Sequence, residues 1–454
     1  MLISKPHGLR TFLISGATLL LLTNHSLASE SGKKLGTSLG TFTVKAGSHQ
    51  RLDVPIPYQC RLDDLLNGQA LSVDGDHHLI LEEQGGQKSK IDAQWEPEAG
   101  FEWDNIGNRG TLLWILEGTT ETGSTRTFKL MLKNGPRQPG SFAVEDIQKK
   151  HLLIQKNSRP ILRYNYGIVR RTEGEAGPYD RAAYIHPVWT PTGKVVSGDF
   201  SPEHVHQRGI FFAAHAVKFG AVQANFWELG QENGRTLPDA LKPKIITGPV
   251  FAELVIHNKG TVDGQIRFKE VTMTRVYSLP RGDFWLFDIR VRQVPVDPNQ
   301  PNGLPEAILS MEWQQVLYGG MAFRGASEWL PKEVRLDVLT SEGKDRIGAN
   351  TTSARWIDYT GPLGNEWGGL VIFDHPANPC YPTPLRVHAE LPYFCCPFFQ
   401  NKPYIVYGNR PLDLTYRFLI HNGHPNRETN ERIANDFSNP PEVTWEAAKV
   451  TQQN

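Results

Sequence analysis

The chain has 454 residues, with 48 lysines and arginines against 48 aspartates and glutamates, so no net field draws it to nucleic acid or to an anionic membrane surface. Glycine (42) and proline (32) are plentiful and aromatics make up 10% of the residues, which favours short strands punctuated by turns over long amphipathic helices. The length exceeds what one core usually serves, so two domains are expected.

Lys5, His7 and Arg10 precede an apolar run over 11–22, and Ser26 and Ala28 supply small residues where a signal peptidase reads. The run is shorter than the roughly 20 apolar residues that span a bilayer. Residues 1–28 therefore read as a cleaved secretory signal peptide, with a retained anchor as the alternative, and the mature protein as soluble and either periplasmic or secreted. No later stretch reaches spanning length: the apolar segment over 209–217 is broken by His215 and followed by Lys218.

Strand-like runs over 40–44, 78–82, 112–116 and 126–132 are each bounded by turn residues, which predicts a small all-β sandwich over 39–134. A polar, turn-rich stretch over 133–140 marks the boundary and gives a linker over 135–149. From 150 to 436 the strand pattern continues. Over 284–294, Trp285, Phe287, Ile289 and Val291 alternate with Leu286, Asp288, Arg290 and Arg292, the period of a strand with one packed and one wetter face. The only convincing helix lies near 430–437, before Pro440 and Pro441, and 437–454 reads as a C-terminal tail. Cys60, Cys380, Cys395 and Cys396 lack metal or redox spacing; Cys380 could pair with Cys395 or Cys396, or all could be simple buried thiols.

The densest polar cluster contains His186, His204, His206 and His215, four of the fifteen histidines within thirty residues, followed by Trp227 and Glu228. Pro187, Pro191 and Gly193 frame His186 in rigid loops. Read as a strand, the segment puts His204 and His206 on one face, where both imidazoles could meet a metal ion or a substrate. Arg208 could grip a carboxylate or sugar hydroxyls in a forked geometry, or form a structural ion pair with Glu203 or Asp199. Further on, Arg324, Arg355 and His375 stand among glycines, prolines and aromatics, a mixture suited to sugars with their apolar C–H faces and rings of hydroxyls. Gly36, Ser38 and Gly40 match a nucleophile elbow in spacing but lack its strand-turn-helix context. No dinucleotide fingerprint, phosphate-binding loop or zincin motif is present, so no nucleotide cofactor is expected.

Taken together, the runs at 186–193 and 203–209, Arg324 with its preceding glycines, and Asp374, His375 and Asn378 resemble the PmoA-like bacterial family, also called methane oxygenase PmoA, over about 150–425. That resemblance implies a galactose-mutarotase-like β-supersandwich, a scaffold used by sugar epimerases, polysaccharide lyases and glycosidases. The fold expected is thus all-β, a small N-terminal β-sandwich followed by the supersandwich.

The function expected is that of an exported carbohydrate-active enzyme of lyase, hydrolase or epimerase class. His186 and one of His204 or His206 are read as general acid and base, because imidazole titrates near 6.5. Arg208 and Glu203 would orient them, and Trp227, Glu228, Arg324, Arg355 and His375 would contact the ligand. Two alternatives use the same residues: a divalent-metal enzyme with His204, His206 and either His186 or His375 as ligands, and a non-catalytic glycan-binding module.

Overall fold

The computed structural model describes residues 37–66, 77–85, 90–101, 104, 107–135, 139–172, 174–296, 305–309 and 318–449. The expected signal peptide over 1–28 lies outside them. The described chain is all β, built from antiparallel sheets. Among the described residues no helix is long and apolar enough to cross a membrane.

The first sheet has seven strands, in the order Arg51–Arg61, Arg109–Thr120, Ile91–Pro97, His77–Glu83, Thr125–Asn134, Thr37–Lys45 and Glu442–Ala447. Its apolar residues recur with period two. Phe42 and Val44, Leu79 and Leu81, Leu112, Trp114 and Leu116, and Phe128 and Leu130 all face one core, so the sheet curls around it. The opposite face of the Arg109–Thr120 strand carries Leu113 and Ile115, which pack with Phe251, Leu286 and Leu419 of the large domain. The last strand corrects the tail read at 437–454. Glu442–Ala447 pairs with Thr37–Lys45, and Trp445 lies opposite Phe42 with ring centroids 4.4 Å apart.

Two larger sheets face one another across the main core. One has eight strands, in the order Arg386–Val387, Tyr393–Cys396, Gly319–Arg324, Ile210–Ala214, Tyr184–Val188, Arg159–Asn165, His151–Lys156 and Phe142–Ile147. The last of these falls in the stretch expected as a linker, so that stretch already contributes a paired strand. The other sheet has nine strands and includes Phe251–Val262, Gln265–Tyr277, Phe284–Pro295, Leu412–Asn422, Glu366–Asp374 and Trp356–Leu363 in that spatial order.

The alternation along Phe284–Pro295 is realised. Trp285, Phe287, Ile289 and Val291 enter the main core against residues such as Tyr184, Ile210 and Phe211, while Leu286 points the other way. Each such side chain contributes roughly 1.5–3 kcal/mol on burial. A sheet with Asp288, Arg290 and Arg292 on its outer face needs partners there. Arg292 finds one in Asp104 at 2.7 Å, beside the N-terminal unit.

The helix Arg427–Ser438 covers part of that outer face with Ile433, Ala434 and Phe437. It begins earlier than the sequence reading placed it because Asn426 caps it, accepting a bond from the Thr429 N–H at 2.9 Å. None of Cys60, Cys380, Cys395 and Cys396 is in a disulfide, so no pairing of Cys380 is formed.

Candidate functional site

The polar cluster of the sequence forms where the eight-stranded sheet meets its loops. Strand Ile210–Ala214 pairs with Gly319–Arg324, and the segment leading into it is tied down on both sides. Gly209 donates to Gly198 O at 2.8 Å and accepts from the Arg324 N–H at 2.7 Å. A side chain at Gly209 is excluded, since its φ is +48° and a Cβ would stand 2.0 Å from Ile185 O. This close approach lays 203–208 over Arg324.

That segment is not a strand. His204 donates its N–H to Ser201 O at 3.1 Å and Gln207 to His204 O at 3.0 Å, giving two successive turns. His204 and His206 still meet, with ring centroids 5.4 Å apart, but through turn geometry rather than strand alternation. A third imidazole joins them: His388, 6.1 Å from His204 by ring centroids.

His388 follows the two-residue strand Arg386–Val387, which hydrogen-bonds to Tyr393–Cys396 and so to Gly319–Arg324. Its Nδ1 accepts from the N–H groups of Glu390 at 3.1 Å and Leu391 at 2.9 Å. An imidazole nitrogen that accepts twice carries no proton, so the neutral ring keeps its proton on Nε2. Burial, then the nearby Arg386, lowers the His388 pKa to about 4. Burial likewise lowers His206 to about 3, helped by the positive charge of Arg181. Both rings are neutral near pH 7.

Beneath them lie two buried cations. Arg324 donates to Gln207 Oε1 at 2.9 Å and to Ser201 Oγ at 3.2 Å, and its Nη2 has no hydrogen-bond partner among the described residues, although the half-exposed Glu203 carboxylate lies 3.5 Å away. Gln207 Nε2 is buried and unpartnered too. Arg181 is satisfied by the carbonyls of Phe226 at 2.8 Å and His206 at 3.3 Å rather than by a carboxylate. His215, at the edge of this group, meets Glu228 at 3.5 Å and leaves its Nδ1 unpartnered.

Other residues singled out from sequence sit elsewhere or serve the scaffold. Arg208 is fully buried: it donates to both oxygens of Asp199, to the Tyr184 hydroxyl and to Tyr179 O, and its guanidinium lies 3.4 Å from the Phe200 ring centroid. Of the two acids weighed for it, Asp199 is the partner, and the fully buried guanidinium is not presented to a substrate. His186 is held through Nδ1 by the Ser197 hydroxyl at 2.9 Å, and burial lowers its pKa to about 4. Trp227 has no exposed surface and packs with Phe211, Tyr318 and Tyr393, a core residue rather than a sugar platform.

Arg355 and His375 lie on the outer face of the nine-stranded sheet. Arg355 pairs with Glu431 of the helix at 2.8 Å, and the His375 ring packs on Phe437 at 4.8 Å. The structure does not bring either to the imidazoles. Sequence reading missed His388, which stands in no motif and lies far along the chain; only strand pairing brings it in. Among the described residues no group of three or more His, Cys, Asp or Glu side chains is arranged to hold a metal ion, so the metal reading lacks a ligand set in this conformation.

Comparison with known proteins places this site within a family. The chain belongs to DUF6807, a family of unknown function whose pattern matches residues 151–435. This corrects the resemblance to the PmoA-like family: short polar motifs suggested it, and the match over the whole large domain gives DUF6807 instead. No curated protein matches. Among solved structures, a glycosyl hydrolase family 38 protein from Enterococcus faecalis aligns with TM-score 0.36 and 10% identity over 91% of this chain and 48% of its own. An alpha-mannosidase from Enterococcus faecalis V583 aligns with TM-score 0.30 and 10% identity over 90% of this chain and 46% of its own. The chain spans about half the length of those two proteins.

Proposed function

We propose that the protein is an exported carbohydrate-active enzyme that moves protons on a sugar or glycoside through the His204, His206 and His388 imidazoles. The observation that carries this reading is the convergence of three rings, two of them neutral and one locked as the Nε2–H tautomer, over two buried cations, of which Arg324 keeps an unspent donor. His388, held neutral with its proton on Nε2, is suited to give a hydrogen bond to a substrate oxygen that gains negative charge. His206, neutral down to about pH 3, is suited to accept, and Glu203 is placed to orient the Arg324 guanidinium.

The balance of charge favours a carboxylate-bearing sugar. Arg181 has no hydrogen-bonded carboxylate and Arg324 only a loosely held one, so an acid group on the ligand would meet uncompensated positive charge. It would also raise the pKa of His206 towards neutrality, where proton transfer is efficient. Export belongs to the same reading and rests on the composition of residues 1–28.

The test is a panel of uronate-containing and neutral polysaccharides, followed by reducing ends for hydrolysis, by ultraviolet absorbance for unsaturated products of elimination, and by exchange of ring protons in heavy water for epimerisation. Turnover of at least one substrate that falls about 10²–10⁴-fold in His206→Ala and His388→Ala, with ligand binding retained, supports the reading. Turnover unchanged in both variants ends it.

A further inference from the structure

A second place in the molecule has the form of a ligand site and takes no part in the histidine chemistry. Between the N-terminal sheet and the outer face of the nine-stranded sheet lies a cavity of about 530 Å³. That is within the range of about 300–1,000 Å³ typical of small-molecule sites, which favour such junctions between units. One wall is formed by the strands Arg51–Arg61 and Arg109–Thr120, the other by Gln265–Tyr277 and Phe284–Pro295.

The wall of the large domain is rich in charge, and the charge is internally matched. Arg275 donates to Glu253 at 2.6 Å, Arg290 to Asp413 at 2.7 Å, and Asp288 accepts from Tyr277 at 2.6 Å and from Arg417 at 2.7 Å. An ionic ligand bound on this wall would have to break one of these pairs and strand its partner, which is unfavourable. A neutral ligand rich in hydroxyls would not. Paired guanidinium and carboxylate groups keep spare N–H donors and lone pairs, and hydroxyls both give and take. The opposite wall carries Arg61 and Arg109 against Asp64 and Glu98, so the lining is balanced in charge there too, and Pro57, Pro97 and Ala99 add apolar surface suited to the C–H faces of pyranose rings.

We infer that this cavity is a binding site for a short neutral oligosaccharide, separate from the histidine site. Its ligand class differs from the acidic sugar favoured at the imidazoles, and the inference does not depend on turnover there. Cys60 lines the cavity as a free thiol and reports on its occupancy, while Cys380 is an exposed reference thiol.

The experiment uses the full chain and the probes cellotriose, maltotriose and mannotriose, with trigalacturonate as the charged counterpart. Titration calorimetry measures binding, and mass spectrometry follows alkylation of Cys60 relative to Cys380. We expect at least one neutral trisaccharide to bind and to slow alkylation of Cys60 but not of Cys380. Thr111→Trp and Thr415→Trp, which fill the cavity from opposite walls, should each weaken that binding more than tenfold, with folding verified by thermal melting, while His206→Ala leaves it intact. The inference is overturned if no neutral trisaccharide binds, if trigalacturonate alone protects Cys60, or if binding survives both tryptophan variants and is lost in His206→Ala. The last result would place the sugar at the histidine site and leave the acid-base reading standing.

Discussion

Arg208 and His206 are two residues apart, yet one is spent on the scaffold and the other is not. Around Arg208 each guanidinium nitrogen has an acceptor among Asp199, Tyr184 and Tyr179, and two aromatic rings cover the guanidinium. Around His206 the accounts stay open, with Gln207 Nε2, Arg324 Nη2 and His215 Nδ1 unpartnered among the described residues. A buried polar group without a partner costs about 1–3 kcal/mol, and such costs are commonly kept where a ligand completes the bonding. Residue type alone does not distinguish these two places, whereas the hydrogen bonding around them does.

The sharpest way to break this contrast is to remove a closed partner and an open one in parallel. Arg208→Met leaves Asp199 without its buried cation and should destabilise the protein by about 3–5 kcal/mol, read from denaturant unfolding. A loss under 1 kcal/mol would show that the Arg208 network is not the anchor described. His206→Ala should show the reverse pattern, with turnover reduced as stated above and the unfolding midpoint nearly unchanged. A stability loss as large as that of Arg208→Met would return His206 to the scaffold.

The pH dependence of stability sharpens the comparison further. His186 and His388 titrate at about 4 in the folded protein against 6.5 ordinarily. Between these values the unfolded chain binds protons that the native chain does not. The stability these groups contribute is therefore complete above about 6.5 and is lost as pH falls towards 4, with His186 accounting for about 3 kcal/mol. Thermal melts from pH 7 to pH 4 should show this decline, to which His206 at about 3 adds, and His186→Gln should make it shallower; an unchanged slope would mean that His186 does not contribute. The smallest effect belongs to Arg355→Ala. It removes a partly exposed ion pair with Glu431 and should cost under about 1 kcal/mol with no change in turnover. A clear loss of turnover would restore Arg355 to the ligand site.

Legibility followed the range of the interactions. The period-two pattern over 284–294 and the turn signals between strands were visible because side-chain alternation is a local property of an extended backbone. The importance of the 203–209 segment was visible from histidine density, but its conformation was not. A strand was the natural reading, and the bonds from His204 and Gln207 to preceding carbonyls make it two turns instead. Trp227 read as a ligand contact because an indole suits that role as well as the core, and only burial distinguishes them.

The amino-acid sequence by itself determined the all-β class, the alternating core positions and the presence of a polar, histidine-rich segment on one stretch of chain. Tertiary structure alone decided that Glu442–Ala447 completes the N-terminal sheet, that Asp199 and not Glu203 partners Arg208, and that His388 stands with His204 and His206. The physical reason is that strand propensity is written in neighbouring residues, whereas strand partners and ion-pair partners are chosen by how whole sheets bury their apolar faces. Those choices join residues far apart in the chain and have no local signature.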